Sequence, residues 1–78
     1  MRKIPQIKLR IRDLREDADI TQKEIAKYLV CDQSLYSKYE RGVRQVPLNV
    51  LVALAAYYDV TTDYLLGLSE YKKPYKPE

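Results

Sequence analysis

Apolar residues along this 78-residue chain recur at helical spacing in five separate stretches. Nowhere do they alternate in the two-residue rhythm of a strand. Ile7, Ile11, Leu14 and Ala18 step by four, three and four, which predicts a first helix over about 6–17. Lys8 and Arg12, four apart, then share its outer face. Asp19 is expected to close it in a left-handed conformation, which Asp tolerates better than most residues. Ile20 leads into the second helix as its apolar staple. Thr21 and Glu24 have capping-box spacing, so the Thr21 hydroxyl is expected to accept from the Glu24 backbone N–H. Ile25, Ala26 and Leu29 supply the buried face, and Val30 and Cys31 make a corner.

A third helix follows over about 32–41, with Asp32 as its N-cap and Gly42 as its left-handed end. Val43 to Val46 is a loop with Arg44 at its tip. Pro47 opens a fourth helix, whose core stripe is Leu48, Leu51, Leu54, Ala55 and Tyr58. Thr61 caps a short fifth helix over 62–66, ended by Gly67. The fold class expected is therefore all-α. Residues 1–5 form a basic arm, 6–68 a single five-helix domain, and 69–78 a flexible polar tail.

The third helix divides its residues unequally. At roughly 100° per residue, Gln33, Ser34, Ser37, Lys38 and Arg41 fall within an arc of roughly 140°. Tyr36 and Tyr39 point the other way, with Leu35 and Glu40 on the borders. The polar arc carries amides, hydroxyls and cations but no carboxylate. An ordinary solvated face mixes both signs, whereas amides and cations read base edges and meet phosphates in a major groove. The pattern implies a helix inserted into double-stranded DNA. Leu35 either completes the core rim or touches a thymine methyl.

Charge sharpens this picture. The net charge of +3 is modest, but its distribution is uneven. Residues 1–15 carry six cations and one anion, residues 16–32 a net −3, and residues 33–46 a net +2. If the two positive blocks share a face, that face attracts phosphates. With no histidine and one cysteine, the chain has no internal disulfide and no zinc ligand set. Cys31 reads as a small buried apolar residue. No stretch is long and apolar enough to cross a bilayer, and no signal-peptide pattern opens the chain. A cytoplasmic location with no membrane partner is expected. No nucleophile–base pair or phosphate-cradling glycine loop is present, so an enzyme, a cofactor or a small-molecule substrate is not expected.

The span from about 7 to 68 resembles the lambda-repressor-like, Cro/CI-type (XRE) helix-turn-helix domain. The resemblance rests on an ordered set: Leu14-Arg15-Glu16, Ile20-Thr21-Gln22, Ile25-Ala26, Ser34 with Ser37-Lys38-Tyr39-Glu40-Arg41-Gly42, and Asp63-Tyr64-Leu65-Leu66-Gly67. It implies five helices with the third as recognition helix. It puts Gln33, Ser34, Ser37 and Lys38 at base-facing positions, and Gln22, Arg41 and Arg44 beside the phosphate backbone. Arg15 and Glu40 match a pair that in some members forms a partly buried salt bridge between the first and third helices. The resemblance further implies a homodimer, often formed through helix 5, on paired half-sites of an operator. Val30 stands where the family often has glycine. A β-branched residue strongly disfavours positive φ, so this corner is expected to use another conformation. Asp19 replaces a second common glycine.

The function these features imply is a sequence-specific transcriptional regulator acting as a repressor. The alternative is a protein-interaction module of the same fold, such as the antitoxin of a toxin–antitoxin pair. The helices account for the domain without a ligand-sensing unit, so control is expected through expression level, a partner or cleavage.

Overall fold

The computed structural model describes residues 7–72. The basic arm expected at 1–5 and the last part of the expected tail, 73–78, lie outside them. Five helices follow in order: α1 Ile11–Asp17, α2 Gln22–Leu29, α3 Gln33–Arg41, α4 Leu48–Tyr58 and α5 Thr62–Leu65. No strand occurs among the described residues. The all-α, five-helix class expected from the spacing is what forms. All five helices contribute to one core: Ile11 and Leu14, Ile25 and Ala26, Tyr36 and Tyr39, Leu54 and Ala55, and Leu65. Val46 and Val60 fill it from the connections.

One backbone device closes all five helices. After α2, the Val30 N–H donates to the Lys27 carbonyl and the Cys31 N–H to the Ala26 carbonyl. That pair of bonds is the Schellman arrangement, which needs a left-handed residue between helix and exit. The same two bonds recur around Asp19, Gly42, Asp59 and Gly67. All five residues have φ between 55° and 76°. Only two are glycine. Val30 at φ 56°, ψ 49° overturns the expectation that the corner would avoid this region. The two carbonyls of the last turn of α2 need donors, and the Schellman bonds supply them only if Val30 takes the strained conformation. A non-glycine residue there costs about 1–2 kcal/mol.

At the other ends, Thr21 and Thr61 behave as spacing indicated: each hydroxyl accepts a backbone N–H three residues on, from Glu24 at 3.1 Å and Tyr64 at 2.9 Å. Asp32 occupies the N-cap of α3 with extended backbone but makes no side-chain cap bond. Pro47 is the N-cap of α4 rather than its first helical residue, since its ψ of 152° is extended.

The first helix is shorter than expected, starting at Ile11 rather than near residue 6. Residues 8 and 10 instead donate their N–H groups to the Leu66 and Leu65 carbonyls, at 3.1 and 2.9 Å. Those two donors are turned out to the end of α5 and are not available to a helix that begins at residue 6. The apolar phase changes accordingly: Ile7 is 60% exposed, and Leu9 packs on the core in its place. Ala18 is also exposed. The expected pairing of Lys8 with Arg12 on one helical face is lost. Gly67 permits this approach, because a Cβ there would stand 2.5 Å from the Lys8 carbonyl oxygen.

Leu48 is the second departure. It is 76% exposed instead of buried. At roughly 100° per residue the line through Leu51, Leu54, Ala55 and Tyr58 runs roughly 70° away from it. Beyond α5, the chain folds back: the Thr61 N–H and hydroxyl donate to the Lys72 and Tyr71 carbonyls. Arg10 reaches Glu70 at 3.1 Å while its guanidinium lies 4.3 Å over the Tyr64 ring. These contacts tie residues 69–72, the start of the stretch read as a tail, to both ends of the fold.

Candidate nucleic-acid interface

α2 and α3 meet across the Val30 corner, and α3 sorts its side chains as the spacing indicated. Tyr36 and Tyr39 are buried, at 0% and 5% exposure. Gln33, Ser34, Lys38 and Arg41 are exposed, Ser37 is half-buried, and Arg44 is exposed in the following loop. Leu35 is half-buried against the core. Burial pushes the Tyr36 hydroxyl up from its ordinary range, helped by the neighbouring Glu40 carboxylate. It also raises Tyr58 to about 12. Both phenols therefore stay neutral inside.

Glu40 is the only carboxylate of α3, and it is turned inward. Its side chain is 3% exposed. Arg15 Nε donates to Oε2 at 2.6 Å and Nη2 to Oε1 at 3.2 Å, a two-point pairing of α1 with α3. Arg15 Nη1 donates to the Ile20 carbonyl at 3.0 Å, which ties the same guanidinium to the entry of α2. Gln22 Nε2 donates to Glu40 Oε1 at 3.1 Å. Burial works to raise the Glu40 carboxyl, but contacts from Arg15, Tyr36 and Gln22 outweigh it and hold it below the usual range. The Arg15 guanidinium is raised, chiefly by its bond to Glu40. One carboxylate thus fixes α1, α2 and α3 together, and its charge is spent internally.

Arg12, Arg15, Gln22, Ser37, Glu40 and Arg41 line one open depression of about 280 Å³. The cationic block of the first helix therefore meets the cationic arc of α3 at Arg12 and Arg41. Lys8 is not part of it; with Leu9, Arg10 and Gly67 it lines a separate depression at the end of α5. Arg12 also lies 3.7 Å from Glu16 in an exposed ion pair.

Of the residues picked from the sequence, Gln22, Ser37, Arg41, Arg15 and Glu40 are brought together here. Gln33, Ser34 and Lys38 lie on the exposed side of α3, and Arg44 on the loop. Sequence reasoning missed the Gln22–Glu40 bond. An amide nitrogen carries two hydrogens, so one is committed to the fold and one remains. It also missed the Ile20 carbonyl as a partner of Arg15 and did not single out Arg12 for the site. Contacts between residues 18 and 25 positions apart leave no periodic trace, though the cation at position 12 was visible.

A family model described as helix-turn-helix matches residues 11–65. Among curated proteins, the chain is similar to the HTH-type transcriptional regulator ImmR of Bacillus subtilis (strain 168), 41% identical over 64 residues, covering 82% of this chain and 50% of that protein. It is 38% identical over 65 residues to the uncharacterized HTH-type transcriptional regulator YobD of the same organism, covering 83% and 58%. It is 34% identical over 61 residues to the cryptic phage CTXphi transcriptional repressor RstR of Vibrio cholerae, covering 78% and 55%. The chain therefore spans between half and three fifths of the length of these relatives.

Proposed function

The chain belongs to the Cro/CI-type helix-turn-helix family, and from that premise we propose that it is a sequence-specific DNA-binding regulator of transcription that acts as a repressor. The observation that carries this reading is the disposition of Glu40. With its single carboxylate buried on Arg15, α3 offers only amide, hydroxyl and cationic groups outward. That composition suits base edges and phosphates. The regulators and the repressor named above support the same reading.

In this proposal Gln33, Ser34, Ser37 and Lys38 face base edges, with the Gln33 amide suited to adenine. Gln22, Arg41 and Arg44 meet phosphates, and Arg12 joins them because it shares a depression with Arg41. Arg15 and Glu40 hold the reading angle of α3. The protein binds as a homodimer to half-sites about one helical turn apart, roughly 34–36 Å, in the cytoplasm. Occupancy then blocks transcription without a cofactor.

Selection of bound sequences from a random DNA pool tests this directly. A recovered motif with two-fold symmetry is the expected result. Failure to enrich any sequence at low salt, together with retention of a protein partner, would instead favour the interaction-module reading.

A further inference from the structure

Gln22 is the first residue of α2, and its half-buried amide lines the depression it shares with Arg12, Ser37 and Arg41. A glutamine amide has two ends of nearly the same shape, an NH2 that donates and an oxygen that accepts. Only the NH2 end attracts a phosphate; the oxygen end repels it. Nothing in the residue itself chooses between them. Here Glu40 makes the choice. An ionised carboxylate only accepts, so the end of Gln22 that faces it is the NH2, which donates to Oε1 at 3.1 Å. Arg15 grips the same carboxylate at 2.6 and 3.2 Å, and the Glu40 side chain is 3% exposed. The acceptor that orients Gln22 is therefore itself fixed in place.

We propose that Glu40 is a positioning residue for DNA binding: it turns the donor end of the Gln22 amide toward one phosphate of the duplex. This inference deepens the reading of Gln22 as a phosphate contact and rests on it. One hydrogen of the Gln22 nitrogen is committed to Glu40. The second diverges from the first in the plane of the amide and is the one left for an anion. Arg12 and Arg41 line the same depression and supply the attraction that brings a phosphate to it. Glu40 does not oppose that phosphate, because Arg15 balances its charge. The free protein already holds the amide as binding needs it, so association does not have to order it. Without the acceptor, the amide turns either end outward. Glu40 thus acts on affinity apart from its part in holding α1 to α3, and it does so through a residue 18 positions away.

A double-mutant cycle on DNA separates the two roles. Gln22→Met keeps the approximate shape of the side chain and removes both donor hydrogens. It is introduced into the wild type and into Arg15→Met/Glu40→Leu, in which apolar groups replace the buried pair and the acceptor is gone. Duplex binding is measured at low salt, where the exposed cations Arg12, Arg41 and Arg44 hold DNA in both backgrounds. Circular dichroism checks that each variant folds. In the wild type, Gln22→Met is expected to weaken binding about tenfold, the effect of a hydrogen bond to a charged group. The slope of log affinity against log salt is expected to stay the same, because an amide displaces no counterion. In the exchanged background the same substitution is expected to cost less than about twofold. An equal loss in both backgrounds overturns the proposal. A second measurement needs no DNA. Side-chain NMR relaxation of the free protein is expected to find the Gln22 amide more ordered than the exposed Gln33 amide, and that difference is expected to vanish in the exchanged protein. A wild-type Gln22 amide as mobile as that of Gln33 also overturns the proposal. A wild type that binds no duplex even at low salt sinks the DNA reading and this inference with it, whereas an equal loss on bound duplex sinks this inference alone.

Discussion

Arg15 and Glu40 meet through two parallel hydrogen bonds, 2.6 and 3.2 Å long, with side-chain exposures of 14% and 3%. The pair joins α1 to α3, and through Ile20 and Gln22 it also holds α2. Removing one partner strands a charge in the interior. Arg15→Ala or Glu40→Ala is expected to cost on the order of 3–5 kcal/mol. Replacing both by Met and Leu is expected to recover most of that loss, because the desolvation cost of two charges is also removed. Thermal and urea unfolding of the three variants measures this. A single-variant loss under about 1 kcal/mol would assign the pair to the class of exposed bridges.

The same pair sets an acid sensitivity. The Glu40 carboxyl is held below the ordinary range in the folded state, so the folded chain favours its charged form. The sign follows: its stabilising contribution is complete above the unfolded value near 4.3 and is lost as pH falls through the lower folded value. Wild type and Glu40→Gln are expected to differ most near neutral pH and to converge under acid. Urea titrations at stepped pH measure the gap. A gap that widens on acidification would reverse the assignment.

Val30 is 90% exposed and left-handed, so it has strain to lose and little contact. Val30→Gly is expected to stabilise the protein by about 1 kcal/mol, and hence to raise Tm by roughly 4–8 °C for a domain of this size. Differential scanning calorimetry reads it. A fall in Tm would mean that the Val30 side chain stabilises the fold.

The two glycines are expected to respond differently to alanine. Gly42 has no atom near the position of an added Cβ, so Gly42→Ala costs only the backbone strain, about 1–2 kcal/mol. Gly67→Ala adds a clash with the Lys8 carbonyl at 2.5 Å and is expected to cost more. It should also free residues 7–10, which amide hydrogen exchange of Lys8 and Arg10 would register.

On DNA, Gln33→Ala is expected to change preference at one base position by about 1–3 kcal/mol. Arg44→Ala is expected to weaken all sequences alike and to lower the slope of log affinity against log salt by about 1. Binding titrations at several salt concentrations, on the selected motif and on a scrambled control, separate the two. A Gln33→Ala variant with an unchanged motif would remove Gln33 from the base-reading set.

The sequence by itself determined the helices, their order and the two faces of α3, because helical period, threonine caps and the Tyr36–Tyr39 pair are local signals. It also placed Arg15 and Glu40 together, but only through resemblance, since their separation of 25 residues has no periodic trace. The folded structure decided the rest. Ile7 fits the helical stripe, yet backbone bonds from Lys8 and Arg10 to Leu66 and Leu65 keep this segment out of the helix. Val30 disfavours positive φ, yet two closing hydrogen bonds at the end of α2 impose it. Leu48 fits the apolar stripe of α4, yet lies off the line that meets the core. Val30 gives up a local preference worth about 1–2 kcal/mol for bonds within its own helix end, whereas residues 8 and 10 stay out of the first helix for bonds that exist only once the segment before α1 meets the end of α5.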